Sequence, residues 1–354
     1  MIVCRRISAT RITNRVTTDG ISETQMQAWL LEKFEGLGAM HLTEVPEPAA
    51  GEGEVVMEVE LAGLNPADRY LAEGQYPAKP PLPHILGRDG VGVVREVGRG
   101  VSGVRVGDRR MVLRGDVGVY RAGTFARKVA VPVESLVEVP AGWTREESAG
   151  ATLVYLTAYQ ALMQWGELPP SVVLVTGASG GVGVATTQLA RIMGHTVVAL
   201  SRSTEKGKSL MQIGAGVVLN PEDAGWGKKL KEQLEGRRVD LAVDNIGGAL
   251  LPQVIETLGN NGRVSVVGRL AGPVPEFNTA SLFFRRLKIG GVAVGAYTNA
   301  ESRAAWSEIV KLLGSKGAKP VVDQVFSFVD LPAAFERLKS GPMGKVLLNC
   351  RGLK

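Results

Sequence analysis

The chain has 354 residues, enough for two domains with a core each, and its 45% hydrophobic and 21% charged residues are the balance of a folded globular protein. A net charge of +6 spread without a long basic block favours a small anionic ligand over nucleic acid, and no apolar run nears the ~20 residues of a membrane span. Only Cys4 and Cys350 are present, which excludes a disulfide framework and a thiolate-rich zinc site and leads us to expect a reducing cytoplasm.

Residues 1–25 scatter Arg5, Arg6, Arg11 and Arg15 among serines and threonines, with acids scarce before Asp19. The composition is that of a targeting segment without the apolar stretch of a secretory signal. A dispensable extension, a start codon assigned upstream of Met26 and an organelle address all stay open. From Met26 onward, short alternating stretches at 27–31, 40–44, 54–61, 90–97, 109–113 and 126–132 predict an all-β unit. Pro46, Pro48, Pro66, Pro77, Pro80, Pro81 and Pro83 keep its connections irregular. Residues 144–165 then read as a helix, with Thr144 as cap and Glu147 three residues on, a capping-box arrangement.

The next segment carries the chemistry. Val172-Val173-Leu174-Val175 is a buried-strand run that enters the turn Thr176-Gly177-Ala178-Ser179-Gly180-Gly181-Val182-Gly183, and residues 184–193 continue as a helix. Gly180 lets backbone approach a pyrophosphate, Gly183 lets the helix pack on the strand, and the helix aims its N-terminal amides at the phosphates. A second aliphatic strand at 195–200 completes a βαβ unit of about 30 residues, which raises a weak glycine signal to a dinucleotide site. At that strand's tip an acid would select NAD. Here Ser201-Arg202-Ser203-Thr204-Glu205-Lys206 supplies two cations and three hydroxyls. A solvated basic loop is the bland reading, and the position favours a seat for the 2′-phosphate of NADP.

The alternation continues with a helix closing at Gly214, a strand at 217–219, a helix at 228–234, a strand at 239–244, a helix at 251–257 and strands at 262–268 and 287–294, an open parallel sheet. Residues 302–349 read as helix, strand, helix and a closing strand at 345–348 that by position returns to the first unit.

Several blocks together resemble the medium-chain dehydrogenase/reductase superfamily, in its zinc-independent NADPH:quinone oxidoreductase branch, over nearly all of the chain from Met26. They are Gly63-Leu64-Asn65-Pro66-Ala67-Asp68-Arg69-Tyr70 with Gly74-Gln75-Tyr76-Pro77; Gly87-Arg88-Asp89-Gly90-Val91-Gly92 with Val97-Gly98 and Val106-Gly107-Asp108-Arg109; and Ala178-Ser179-Gly180-Gly181-Val182-Gly183. The resemblance implies an α/β protein, a GroES-like mainly-β catalytic domain at 26–149 and 292–354 around a Rossmann doubly wound domain at 150–291. Zinc alcohol dehydrogenases of the superfamily carry Cys where Asn65 stands, His where Arg88 stands and another Cys near Leu153. Asn is a poor zinc ligand and Arg cannot coordinate. His41, His84 and His195 lie elsewhere and read as surface or packing residues. Without a Lewis acid, alcohol oxidation by the usual route is disfavoured and reduction of a conjugated electrophile remains.

The function so implied is hydride transfer from NADPH to a quinone or to the β-carbon of an α,β-unsaturated carbonyl. The alternatives are an enoyl thioester or 2-alkenal reductase, and a crystallin-like protein that holds NADPH without turnover. Asn65 and Tyr70 are the candidate catalytic residues; Asn65 before Pro66 is also a good turn residue, and Tyr70 can equally pack on the β unit. Asp68 and Asp89 read as loop organisers, and either could pair Arg88. On the cofactor side the resemblance assigns Thr157, Ala178, Ser179, Gly180, Gly181, Val182, Ser201, Arg202, Lys206, Asn245 with Gly247, Gly268, Arg269, Leu270 and, through Gly344-Lys345, Lys345. Pro221 stands where the family often has a tyrosine beside the adenosine phosphate. A homodimer through the strand at 287–294 and a small electrophilic substrate are the expected partners, with neither nucleic acid nor membrane.

Overall fold

The computed structural model describes residues 24–113, 116–272 and 278–352. The first 23 residues of the expected N-terminal extension lie outside the described residues, and Gln25 already begins a strand. In chain order the β unit runs β1 (Gln25–Leu31), β2 (Met40–Pro46), β3 (Glu54–Gly63), α1 (Pro66–Ala72), β4 (His84–Ile85), β5 (Gly90–Val97), β6 (Arg109–Val112), β7 (Lys128–Pro132) and β8 (Leu136–Glu138). Helices α2 (Arg145–Ala149) and α3 (Thr152–Met163) lead into β9 (Val172–Val175), α4 (Gly181–Ile192), β10 (Thr196–Leu200), α5 (Thr204–Gln212), β11 (Val217–Leu219), α6 (Trp226–Gln233) and β12 (Val239–Asp244). There follow α7 (Leu250–Thr257), β13 (Leu258–Val266), α8 (Ala280–Arg285), β14 (Lys288–Gly291), α9 (Asn299–Ser315), β15 (Val322–Ser327), α10 (Leu331–Lys339) and β16 (Lys345–Asn349).

The nucleotide-type sheet has the order β11-β10-β9-β12-β13-β14, with every pair parallel. Its central strand shows why such a strand is aliphatic throughout. Val173 and Val175 enter the core that holds α3, α4 and α9, whereas Val172 and Leu174 enter the core under α6 and α7. Burying each of these side chains contributes about 1.5–3 kcal/mol, so both faces demand apolar residues. The chain order reverses between β9 and β12, and a crevice at such a switch point is where open parallel sheets bind ligands. In the other unit, β15-β16-β3-β5-β6-β8 form one sheet with β7 also on β3, and β2-β1-β4 form a second. Strand β16 does return to the first unit, pairing antiparallel with β3.

Four expected elements differ. The helix expected at 144–165 is two, interrupted at Gly150 and Ala151; a Cβ at Gly150 would meet the Lys345 side chain at 2.8 Å, so a glycine there lets that lysine pass. The capping box that starts α2 is present, Thr144 Oγ1 accepting from Glu147 N at 3.1 Å. The strand expected at 287–294 stops at Gly291, since its partner β13 ends at Val266, and a 3-10 turn follows. Strand β13 starts at Leu258 rather than 262, pairing Leu258 with Val239 across an irregular register. Finally, α9 packs on α3 and α4, with Trp306, Ile309 and Leu313 in their core, so by packing it joins the Rossmann unit although it follows residue 292.

Candidate active site

Two sets of groups meet where β16 begins. On the nucleotide side, β9 leads through Gly177, at φ +56°, into Gly180, the N-cap of α4. A Cβ on Gly183 would lie 2.3 Å from Gly177 O, the close helix-to-strand approach read from the sequence. A Cβ on Gly180 would meet only Gly177 O, at an ordinary contact distance of 3.5 Å, so that position is uncrowded. The first turn of α4 carries no acid, which leaves its dipole free to favour an anion. Behind it, buried Asp244 accepts from Thr176 Oγ1 at 2.7 Å and from Gly247 N at 3.1 Å, fixing the β12 tip. Asn245 donates to Thr176 O at 2.8 Å, and its Oδ1 is buried without a partner. An uncrowded glycine, an acid-free helix start and an orphaned amide oxygen together fit a dinucleotide.

At the β10 tip, Ser201 Oγ lies 3.3 Å from Ser203 N and O, and Ser203 caps α5. Arg202 is exposed and pairs with Glu222 at 3.4 Å, while the Lys206 amine donates to the Gly341 carbonyl. Thr157, half-buried on α3, donates to Leu153 O at 2.7 Å. Gly268, Arg269 and Leu270 follow β13; Gly268 abuts Asn245 O, and Leu270 is 48% exposed. Arg269 crosses the cleft, donating to Gln75 Oε1 at 3.3 Å with its guanidinium 5.8 Å from the Tyr70 ring. The Tyr70 hydroxyl is buried and unpartnered.

The facing side is a network of buried charge. Asn65 caps α1, its backbone N–H donating to Asp68 Oδ2 at 2.9 Å and its side chain to Gly63 O at 3.3 Å. The Lys345 amine donates to Leu64 O at 2.8 Å, to Asn65 Oδ1 at 2.7 Å and to Asp89 Oδ2 at 3.2 Å. Its stem lies against Gly181 of the cofactor turn, so it reaches the site through Asn65 rather than at its surface. Thr152 Oγ1 donates to Asp89 Oδ1 at 2.9 Å. Arg88 donates from Nε to Asp68 Oδ1 at 3.1 Å, so Asp68 is its partner. Burial pushes the Asp68 and Asp89 carboxyls above the ordinary carboxylate range, with Arg88 pulling back at the first and Lys345 at the second. Burial also works against the Arg88 charge, but Asp68 and Tyr76 outweigh it.

The two sets are clipped together: Gly344 N donates to Ser179 O at 2.8 Å, joining the glycine turn to the segment that carries Lys345. Sequence reasoning gave no role to Gln75, Tyr76 or Asp244. The first two sat inside a quoted motif, and Asp244 is signalled only by being an acid at the end of an apolar strand. Among the histidines, His195 accepts from Ser171 N at 3.2 Å, His41 faces Glu32, and burial holds His84 neutral with a pKa of about 4. Among the described residues no three His, Cys, Asp or Glu side chains converge as a donor set for a cation.

Comparison with known proteins agrees with this architecture. The zinc-binding dehydrogenase family model matches residues 181–315 and the alcohol dehydrogenase GroES-like domain model residues 51–141. The quinone oxidoreductase of Rattus norvegicus is 31% identical over 328 residues, 91% of this chain and 97% of the rat protein. The acryloyl-coenzyme A reductase of Sulfurisphaera tokodaii is 28% identical, over 87% of this chain and 95% of its own. A mycobacterial protein solved complexed with NADPH superimposes with a TM-score of 0.82 at 28% identity, covering 92% of this chain and 99% of that one. Shared fold, shared motifs and a relative matched almost end to end make one case: the chain belongs to the medium-chain dehydrogenase/reductase superfamily, in its quinone oxidoreductase branch.

Proposed function

We propose that this oxidoreductase uses NADPH to reduce a quinone or the β-carbon of an α,β-unsaturated carbonyl. The observation that carries the reading is the pair Asn65 and Arg88, which by the resemblance occupy metal-ligand positions of zinc relatives and are set beside the cofactor turn, Asn65 through Lys345 and Arg88 through Asp68, which also holds the Asn65 backbone. Bound NADPH would supply the hydride. The chain's part is to seat the pyrophosphate at Gly180 and α4, to hold the 2′-phosphate with Ser201, Arg202 and Lys206, and to place donors at the substrate oxygen. The β10 tip, with Ser201 and Arg202 where an acid would select NAD, supports NADPH, as does the NADPH complex of the mycobacterial neighbour. Tyr70, its hydroxyl buried without an acceptor, is suited to donate toward that oxygen.

Purified protein mixed with NADPH and 1,2-naphthoquinone should oxidise the cofactor at a rate that saturates in quinone, and faster than with NADH. Cofactor binding without turnover on quinones, alkenals and crotonyl thioesters would sink the reading. The acryloyl-coenzyme A reductase relative supports enoyl thioesters as the second substrate class, and relative rates on the three acceptors rank them. We further propose a dimer across the outer edge of β14, where Ile289 is 41% exposed and where Phe283 and Phe284 of the preceding α8 are also exposed. Sedimentation of Ile289→Lys should then show a smaller species than the parent; an unchanged species removes this interface.

A further inference from the structure

Arg88 and Lys345 are the two buried Lys or Arg side chains among the described residues, and both stand at this site. Their donor inventories differ. An ammonium has three N–H groups, and Lys345 has all three engaged, on Leu64 O, Asn65 Oδ1 and Asp89 Oδ2. A guanidinium has five. Arg88 gives Nε–H to Asp68, points Nη2 at Ala67 O from 3.5 Å and also bonds the Tyr76 side chain, whose ring lies 4.8 Å from its Cζ. Donors remain on Arg88 after these partners are served, and none remains on Lys345.

The placement is rigid. Asp68 holds the Arg88 guanidinium with one carboxylate oxygen and the Asn65 backbone with the other, so amide and cation keep a fixed relation. Such a pair is costly to bury, and an apolar pair of similar volume is often no less stable, so its presence is poorly explained by folding alone. Its field also reaches its surroundings: after burial, the Arg88 charge is what helps keep nearby His84 neutral.

We propose that Arg88 is a catalytic residue that donates to the carbonyl oxygen of the substrate and balances the negative charge that gathers there. The proposal rests on the function proposed above. In the step, a hydride and its two electrons add to the β-carbon and a C–H bond forms. The C=C pair shifts toward the carbonyl carbon and the C=O pair moves onto oxygen; the reduced dinucleotide, when bound, would give up the C–H bond that held the hydride and so become oxidised, and the enolate takes a proton at its α-carbon from solvent or Tyr70. Charge thus develops on the one atom that a fixed cation with free N–H groups can serve without reorganising.

The test uses Asp68→Asn/Arg88→Met, which removes both charges and leaves no lone buried carboxylate. With the protein folded by circular dichroism, kcat should fall about 100- to 1,000-fold with the KM for NADPH unchanged, as for loss of an oxyanion donor. A folded double variant with kcat within threefold of the parent overturns the proposal. A second readout needs no turnover: 4-nitrophenol, titrated into the protein with oxidised cofactor, should ionise about one pH unit lower when bound than when free, as beside an opposite charge. That shift should vanish in the double variant and persist in Arg88→Lys; a shift equal in parent and double variant refutes the role. If the parent reduces no acceptor, the functional reading fails, and the phenol titration still decides Arg88.

Discussion

On the nucleotide side of the cleft the site is made of backbone: a strand end, four glycines of a turn and the first amides of α4. Across the junction it is made of side chains, two carboxylates and two cations drawn from positions 68, 88, 89 and 345 and locked around Asn65. Backbone made to hold a phosphate needs small residues in local order, so it tolerates little bulk and loses little when a surface cation is removed. A buried charge network needs every member, because each removal strands its partner. The two halves should therefore fail in different ways.

The largest effect is expected from Lys345→Met. It leaves the fully buried Asp89 without its cation and should lower stability by about 3–5 kcal/mol, read by urea unfolding. A loss below 1 kcal/mol would mean that the network is not a unit and would blur the contrast. Gly183→Ala comes next: its Cβ meets Gly177 O and Ala178 C at 2.3 and 2.6 Å, an overpacking cost of about 1–3 kcal/mol. Here affinity for NADPH should fall with stability, whereas in Lys345→Met the surviving folded protein should still bind NADPH. Fluorescence titration separates the two. The smallest effect belongs to Arg202→Ala/Lys206→Ala, since Arg202 is 72% exposed. The KM for NADPH should rise about tenfold while that for NADH stays put, the size of a charge-assisted contact. Equal changes for both cofactors would remove these residues from the phosphate seat.

The same division explains what could be read in the sequence. Strand β9, its glycine turn and α4 are contiguous, and the capping box of α2 needs only Thr144 and Glu147, so local order spells them out. The charge network joins residue 68 to 88 and residue 89 to 345, separations that no periodicity encodes. Arg88 was legible as a buried cation in want of an acid, yet two neighbouring aspartates qualified and only the fold chose Asp68. The need for glycine at position 150 was hidden for the same reason, because what crowds it is a side chain nearly 200 positions away. The early end of β14 follows from where β13 stops, which is again a property of the partner strand.

One apolar cluster runs through both units, taking Leu61, Val91, Met111 and Leu347 from the β unit and Val154, Tyr155, Val173 and Val243 from the Rossmann unit. With oil rather than water along their shared wall, the two lobes are poor candidates for independent melting or for a wide rigid swing. Damage to either lobe is transmitted to the other, so the Lys345→Met protein should unfold in a single cooperative step, and access to the cleft falls to its exposed rim, where Arg269 reaches across to Gln75.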